Sequence, residues 1–243
     1  RLDIVHALRW VHEHIADFGG DPDKVTVAGQ SAGSNNITAM FPMDEAQGLF
    51  RRAICESSNM MDISCMSLDD ARTVSREYFR LLGVGSIEEA LTKSAAELLR
   101  AQDEMNERSV DGSSAFASIQ SKSFSPVLDN VTLRESYWQE FMTGKCRNVE
   151  LMVGTTEGEY DQQFARWEND PDRCRLAREF VISQNWGKLD PERGTNPEIT
   201  DEIVANYPER SEFDAYRDLK IDSYVRAAGF GYASVFSRFS RAY

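Results

Sequence analysis

The apolar positions Leu2, Val5, Leu8, Val11, Ile15 and Phe18 recur at steps of three and four residues, the stripe of an amphipathic helix over 2–18. Gly19-Gly20 ends that pattern, and Asp21-Pro22-Asp23 turns the chain into a β-branched run at Val25-Thr26-Val27. The run closes in Gly29-Gln30-Ser31-Ala32-Gly33, and a helical pattern resumes over 32–41 until Pro42. A helix that feeds a short apolar strand belongs to a βαβ unit, so the fold class is α/β with a mostly parallel sheet. Leu49 to Ile54 lead into Cys55-Glu56-Ser57-Ser58, a second strand with polar residues at its carboxyl end. Helical patterns over 67–82, 86–92 and 94–104 follow, each with Ser or Thr as a cap, whereas 106–123, rich in Ser and Asp, predicts a surface loop. Val149 to Val153 is the third strand. Residues 160–226 read as mainly helical, broken by Trp186-Gly187 and by Pro191 to Pro197, and Val235 to Phe239 reads as a last short strand.

The chemistry suggested by this layout centres on Ser31. A serine in G-x-S-x-G between a strand and a helix sits on a sharp turn that pushes its hydroxyl outward. Gly29 and Gly33 lack a Cβ, so neighbouring backbone can approach closely. The N–H groups that follow, beginning with Ala32, open a helix and carry its positive dipole end, which suits a developing oxyanion. Beyond the third strand, Gly154-Thr155-Thr156-Glu157-Gly158-Glu159-Tyr160 puts carboxylates on the same rim as Ser31, where open α/β sheets bind ligands. On the residues alone, Glu157, Glu159 and Asp161 are all candidates. His6, His12 and His14 lie on the first helix, which is expected to pack behind the sheet; His12 and His14 read as solvated, and His6 as half-buried.

Composition narrows the partners. Forty acidic against 27 basic residues in 243 give a formal charge of −13, which disfavours nucleic acid and anionic membrane as partners. No apolar run approaches the roughly 18 residues of a membrane-spanning helix. Cys55, Cys65, Cys146 and Cys174 form no C-x-x-C and do not cluster with histidine, so no zinc or redox site is indicated; a Cys55–Cys65 disulfide and unpaired thiols both remain open.

With these pieces placed, the chain resembles the type B carboxylesterase and cholinesterase family of α/β-hydrolases. The resemblance is carried by Ala7-Leu8-Arg9-Trp10-Val11, Ile15-Ala16, Phe18-Gly19-Gly20-Asp21-Pro22, Val25-Thr26 and Gly29-Gln30-Ser31-Ala32-Gly33. Gly48-Leu49-Phe50 with Ala53-Ile54 and Ser57 is similar to the family's next segment, Phe124-Ser125-Pro126-Val127-Leu128-Asp129 to the one before its third strand, and Gly154 with Glu157-Gly158 to its acid-bearing loop. The resemblance is dense over 2–60, present over 124–160 and faint beyond.

It implies an α/β-hydrolase fold, here a single partial catalytic domain over 1–243 with helical insertions at about 67–123 and 160–226. It implies carboxylic ester hydrolysis through an acyl-enzyme at Ser31, with Glu157 as the acid orienting a histidine, the Ala32 N–H in the oxyanion hole and Ser57 supporting the acid. Thr156 stands where the family usually has Asp, and Ser58 where it often has Gly. No metal or organic cofactor is implied, and the partner is a small-molecule ester. The family's Gly-rich oxyanion segment would precede Arg1, and its histidine would follow the acid, where this sequence has none after His14. The resemblance therefore implies a central fragment, itself inactive, of an esterase. The alternatives are a non-catalytic adhesion or interaction module of the same fold, and amide or thioester hydrolysis by the same machinery. Acyl and alcohol preference, oligomeric state and compartment are not legible in the sequence.

Overall fold

The computed structural model describes residues 1–243 apart from 59–64, 111–123, 125, 135–136, 146, 186–196 and 208. The chain forms two compact units, Arg1–Ile63 with Tyr137–Tyr243, and Ser64–Ser136.

In the first unit, α1 (Leu2–His14) runs into a 3-10 turn over Ile15–Phe18 that Gly19 closes in the left-handed region, at φ 80. Asp21 accepts from the Asp23 N–H ahead of Pro22, and the chain enters β1 (Thr26–Gln30). Of the apolar stripe on α1 only Val5 is fully buried; Leu2 and Phe18 are exposed. Then come α2 (Ala32–Met40) and β2 (Arg52–Glu56). Further on lie α6 (Tyr137–Met142), β3 (Glu150–Gly154), α7 (Asp161–Ala165), α8 (Arg173–Asn185), α9 (Pro197–Ala205), α10 (Glu212–Ile221), a π-turn at Asp222–Arg226 and α11 (Ala227–Phe236). The three strands are parallel in the order β1-β2-β3, with Gln30 opposite Glu56 and Glu56 opposite Gly154.

β2 is the central strand, and Ala53 and Cys55 on it are buried. Its core is aromatic on the α2 side. The Phe41 ring meets Phe236 at 4.8 Å, Phe141 at 6.0 Å and Phe50 at 6.4 Å. This is the face that carries Ala53, Cys55 and Leu151; on the other face Ala28 and Met152, both in register with Ile54, are exposed. A separate apolar cluster joins α7 to α10 through Phe164, Val181, Val204, Phe213 and Leu219.

The structure corrects the reading of 235–239 as a strand. Ala228, Tyr232, Val235 and Phe236 are buried on one face of α11, a helical spacing. The chain instead pairs at 241–243: Leu151 N–H donates to Arg241 O (2.9 Å), and Tyr243 N–H to Leu151 O (2.9 Å).

The second unit packs α3 (Leu68–Leu82), α4 (Ile87–Ala90) and α5 (Ala95–Val110). Val74 meets Met105, and Leu82 lies with Ala90 and Ala101. Each helix start is capped as its serine predicts: Ser67 Oγ accepts from Asp70 N–H, Ser86 Oγ from Glu89 N–H, and Ser94 with Glu97 forms a reciprocal capping box. Helix α5 runs on through 106–110, where a loop was expected; 111–123 lies outside the described residues, as do the 186–187 break, nearly all of the 191–197 break and Cys146.

Candidate active site

Ser31 follows the last residue of β1 and precedes the first of α2, with φ 51 and ψ −116. A non-glycine residue at positive φ costs energy, and local bonding holds it there. Its N–H donates to Glu56 O at 2.9 Å, extending the β1–β2 ladder by one step, while its C=O accepts from Asn35 N–H at 2.9 Å as the first turn of α2. The residue is thus both the end of a ladder and the start of a helix, and its side chain is exposed.

The two glycines of the motif play unequal parts. A Cβ at Gly29 would lie 2.5 Å from Gly33 C, 2.8 Å from Gly33 O and 2.9 Å from Ser34 N; one at Gly33 would meet nothing within 4 Å. Gly29 is what lets strand and helix backbones approach. Ala32, the first residue of α2, carries one of the N–H groups that a helix start leaves without an intrahelical partner.

One strand over, Ser57 shares the positive φ and the ladder hydrogen bond. It follows β2, has φ 52, and its N–H donates to Gly154 O at 2.8 Å. Beyond β3 the chain turns at 157–160. Glu157 is exposed; its carbonyl accepts from Arg226 Nη2 at 3.4 Å. Glu159 is half-buried, and its carboxylate accepts from the Ser57 hydroxyl and from Thr156 N–H (3.1 Å). Ser57 is therefore brought to an acidic residue, but that residue is Glu159 rather than Glu157.

Tyr160, next in the chain, is at φ 65 and ψ 4. Burial, then Tyr224 and Glu159, push its phenol pKa up. The fully buried Lys220 sets its ammonium 4.0 Å from the Tyr224 ring centroid, 5.0 Å from that of Tyr160 and 5.5 Å from that of Phe180. Nothing in the local sequence pattern around Lys220 marked it.

Beneath the elbow, burial pushes the Cys55 thiol up to about 11, the Ser34 hydroxyl beside it working the other way. Cys55 is a free thiol, so the Cys55–Cys65 bridge does not form. The histidines stay on α1: His6 is exposed rather than half-buried, His12 is half-buried, and the His14 ring packs 4.9 Å from that of Trp10. Among the described residues no hydrogen bond joins any of them to Ser31 or to the 157–159 carboxylates, and no group of three or more His, Cys, Asp or Glu is placed to hold a metal. Nor is any helix among them long and apolar enough to cross a membrane.

Residues 1–227 match the model of the carboxylesterase family. The chain is 38% identical over 160 residues to para-nitrobenzyl esterase of Bacillus subtilis (strain 168), covering 65% of this chain and 31% of that protein. It is 30% identical over 160 residues to neuroligin-2 of Rattus norvegicus, 65% of this chain and 18% of the relative. Among solved structures it is similar to carboxylesterase EST55 of Geobacillus stearothermophilus, with a TM-score of 0.73 at 26% identity over 100% of this chain and 47% of the other. A PNB esterase gives a TM-score of 0.69 at 27% identity, over 100% and 48%. The chain thus spans less than half the length of these relatives.

Proposed function

The chain belongs to the carboxylesterase family, with an α/β-hydrolase fold, and from that premise we propose that the whole protein hydrolyses carboxylic esters through an acyl-enzyme at Ser31. The observation that carries this reading is the backbone of Ser31 itself. It is held at positive φ between the β1–β2 ladder and the first turn of α2, so the hydroxyl stands at the carboxyl rim of the sheet beside a helix N-terminus.

The chemistry follows from the placement. Ser31 Oγ attacks the ester carbonyl while a histidine base takes its proton; the carbonyl π electrons move onto oxygen, where the Ala32 N–H donates. The oxyanion collapses, the C–O bond to the alcohol breaks, and the base returns the proton to the leaving alkoxide. Water then repeats the sequence on the acyl-serine, releasing the acid and restoring Ser31.

Glu159 suits the acid's part better than Glu157. In the register Ser31, Ser57 and Thr155 are the residues next after three adjacent strands, so β1 and β3 lie two strand spacings apart, about 10 Å. An imidazole with a hydrogen bond of about 2.8 Å at each end spans roughly 7–8 Å, which fits a carboxylate turned back over Ser57. The Ser57 hydroxyl and Thr156 N–H hold Glu159 in that direction, while the Glu157 side chain is exposed. Ser57 keeps its supporting part, and the helical stretches at about 67–123 and 160–226 are read as insertions on this one catalytic domain.

The test uses the full-length gene product with p-nitrophenyl butyrate and a fluorophosphonate probe. Ser31→Ala is expected to remove the label and cut turnover by at least about 10³-fold. Glu159→Gln is expected to lower kcat by up to about 10⁴-fold, with Glu157→Gln within threefold of wild type. Probe labelling at a residue other than Ser31 overturns the nucleophile assignment, and the reverse order of the two Gln variants returns the acid role to Glu157.

A further inference from the structure

We propose that Lys220 is a positioning residue for the acid: its buried ammonium locks Tyr160 in a left-handed backbone conformation and so aims the Glu159 carboxylate at Ser57. The inference rests on the reading of Glu159 as the acid.

Lys220 is completely buried, a rare state for lysine that requires compensation. Part of the compensation is aromatic: Tyr224, Tyr160 and Phe180 present ring centroids 4.0, 5.0 and 5.5 Å from the ammonium. The rings also pack on one another, Tyr160 edge-on to Tyr224 at 5.8 Å and to Phe180 at 6.3 Å. A cation shared by three rings holds each of them in place, since moving any one strips a buried charge of part of its stabilisation.

Tyr160 needs such holding. A bulky residue at φ 65 is a steric outlier that persists only where its surroundings over-determine it. Its left-handed turn reverses the chain between Glu159 and α7, and this reversal leaves the Glu159 carboxylate facing back onto Thr156 N–H and Ser57. If Tyr160 relaxed to φ below zero, the peptide joining it to Glu159 would rotate and carry the carboxylate off Ser57. The same short segment grips the loop a second time. Arg226, anchored on Asp222 at 2.7 Å, donates to the Glu157 carbonyl at 3.4 Å. The π-turn at Asp222–Arg226, which carries Tyr224 and Arg226, directly follows α10, the helix that carries Lys220, and such turns are frequent at functional sites.

The experiment compares Lys220→Met, which keeps the length and removes the charge, with Lys220→Arg, which restores a cation able to stack on aromatic rings. In the full-length gene product Lys220→Met is expected to lower kcat by about 10²-fold with KM within twofold, the cost of a misplaced catalytic group. Lys220→Arg is expected to recover most of that loss. In a Glu159→Gln background Lys220→Met is expected to add nothing, because there is no carboxylate left to aim. A merely structural lysine would instead reduce activity in both backgrounds. Wild-type kcat in Lys220→Met, or an additive loss in the double variant, overturns the proposal. A crystal structure of Lys220→Met reads the same point without activity: Tyr160 should leave the left-handed region and the Ser57–Glu159 hydrogen bond should open. If both persist, Lys220 does not position the acid. Should the wild-type protein hydrolyse no ester, the esterase reading fails while the crystal structure still decides the role of Lys220. If Lys220→Met does not fold, Tyr224→Leu, at a half-buried ring, takes its place with the same expectations.

Discussion

Replacing the two glycines of the elbow by alanine, one at a time, should destabilise the fold at Gly29 and not at Gly33. At Gly29 the new methyl carbon would stand 2.5 Å from Gly33 C and 2.8 Å from Gly33 O. Non-bonded carbons rest at about 3.5–4.0 Å, so the overlap is about 1 Å and involves backbone on both sides. No side chain can swing away; α2 must move off β1, against the Ser31–Glu56 and Asn35–Ser31 hydrogen bonds. Overpacking a core with movable side chains costs about 1–3 kcal/mol, and with only backbone to yield Gly29→Ala belongs at or above the top of that range, about 3 kcal/mol. At about 2–4 °C per kcal/mol for a chain of this size, the melting temperature drops by roughly 6–12 °C. Gly33 is the second residue of α2, its φ is not in the positive range, and a Cβ there meets nothing. Alanine at that position gains helix propensity, so Gly33→Ala should be neutral or stabilising by about 0.5 kcal/mol. Urea unfolding followed by circular dichroism at constant m-value, with a thermal scan beside it, measures both. Equal destabilisation by the two alanines, or a Gly29→Ala midpoint equal to wild type, would refute the close-approach argument.

Three further outcomes follow from single sites. Burial opposes the charge on Asp129, but the N–H groups of Leu133, Val131 and Thr132 and the Thr132 hydroxyl hold its carboxyl down to about 2, against an ordinary 3.8. A depressed folded pKa stabilises above the unfolded value and is lost as pH falls, so Asp129→Asn should cost about 1 kcal/mol at pH 6, solvent screening included. Urea midpoints should show that gap closing between pH 4 and 2. At pH 8 a thiol held near 11 is only about 10⁻³ thiolate, so mass-mapped iodoacetamide labelling should miss Cys55 in the native protein and find it in urea. Phe41→Ala empties the ring cluster formed with Phe50, Phe141 and Phe236 and should cost about 3–5 kcal/mol, read as a lower urea midpoint.

What the sequence determined by itself is the local frame of the site. The β-branched run, the closely spaced glycines and the helical pattern after Ser31 act within ten residues, so short-range sterics and hydrogen bonds set the elbow before any distant contact forms. The serine caps of α3 to α5 were legible for the same reason. Choices among neighbours needed the tertiary structure. Glu157 and Glu159 are two residues apart in the same polar turn, and only the fold, which brings Ser57 from 102 positions away to the Glu159 carboxylate and leaves Glu157 exposed, separates them. Gly29 and Gly33 look alike in the motif, yet only one of them meets another backbone. The 235–239 stretch is short and apolar, a pattern that fits strand and helix equally, and its burial against Phe41 and Phe141 decided for helix. Lys220 reads as a solvated lysine until Tyr160 and Phe180, forty or more residues earlier, fold over it. Periodicity and turn chemistry are properties of a window of chain, whereas burial and side-chain direction depend on what the rest of the molecule brings to that window.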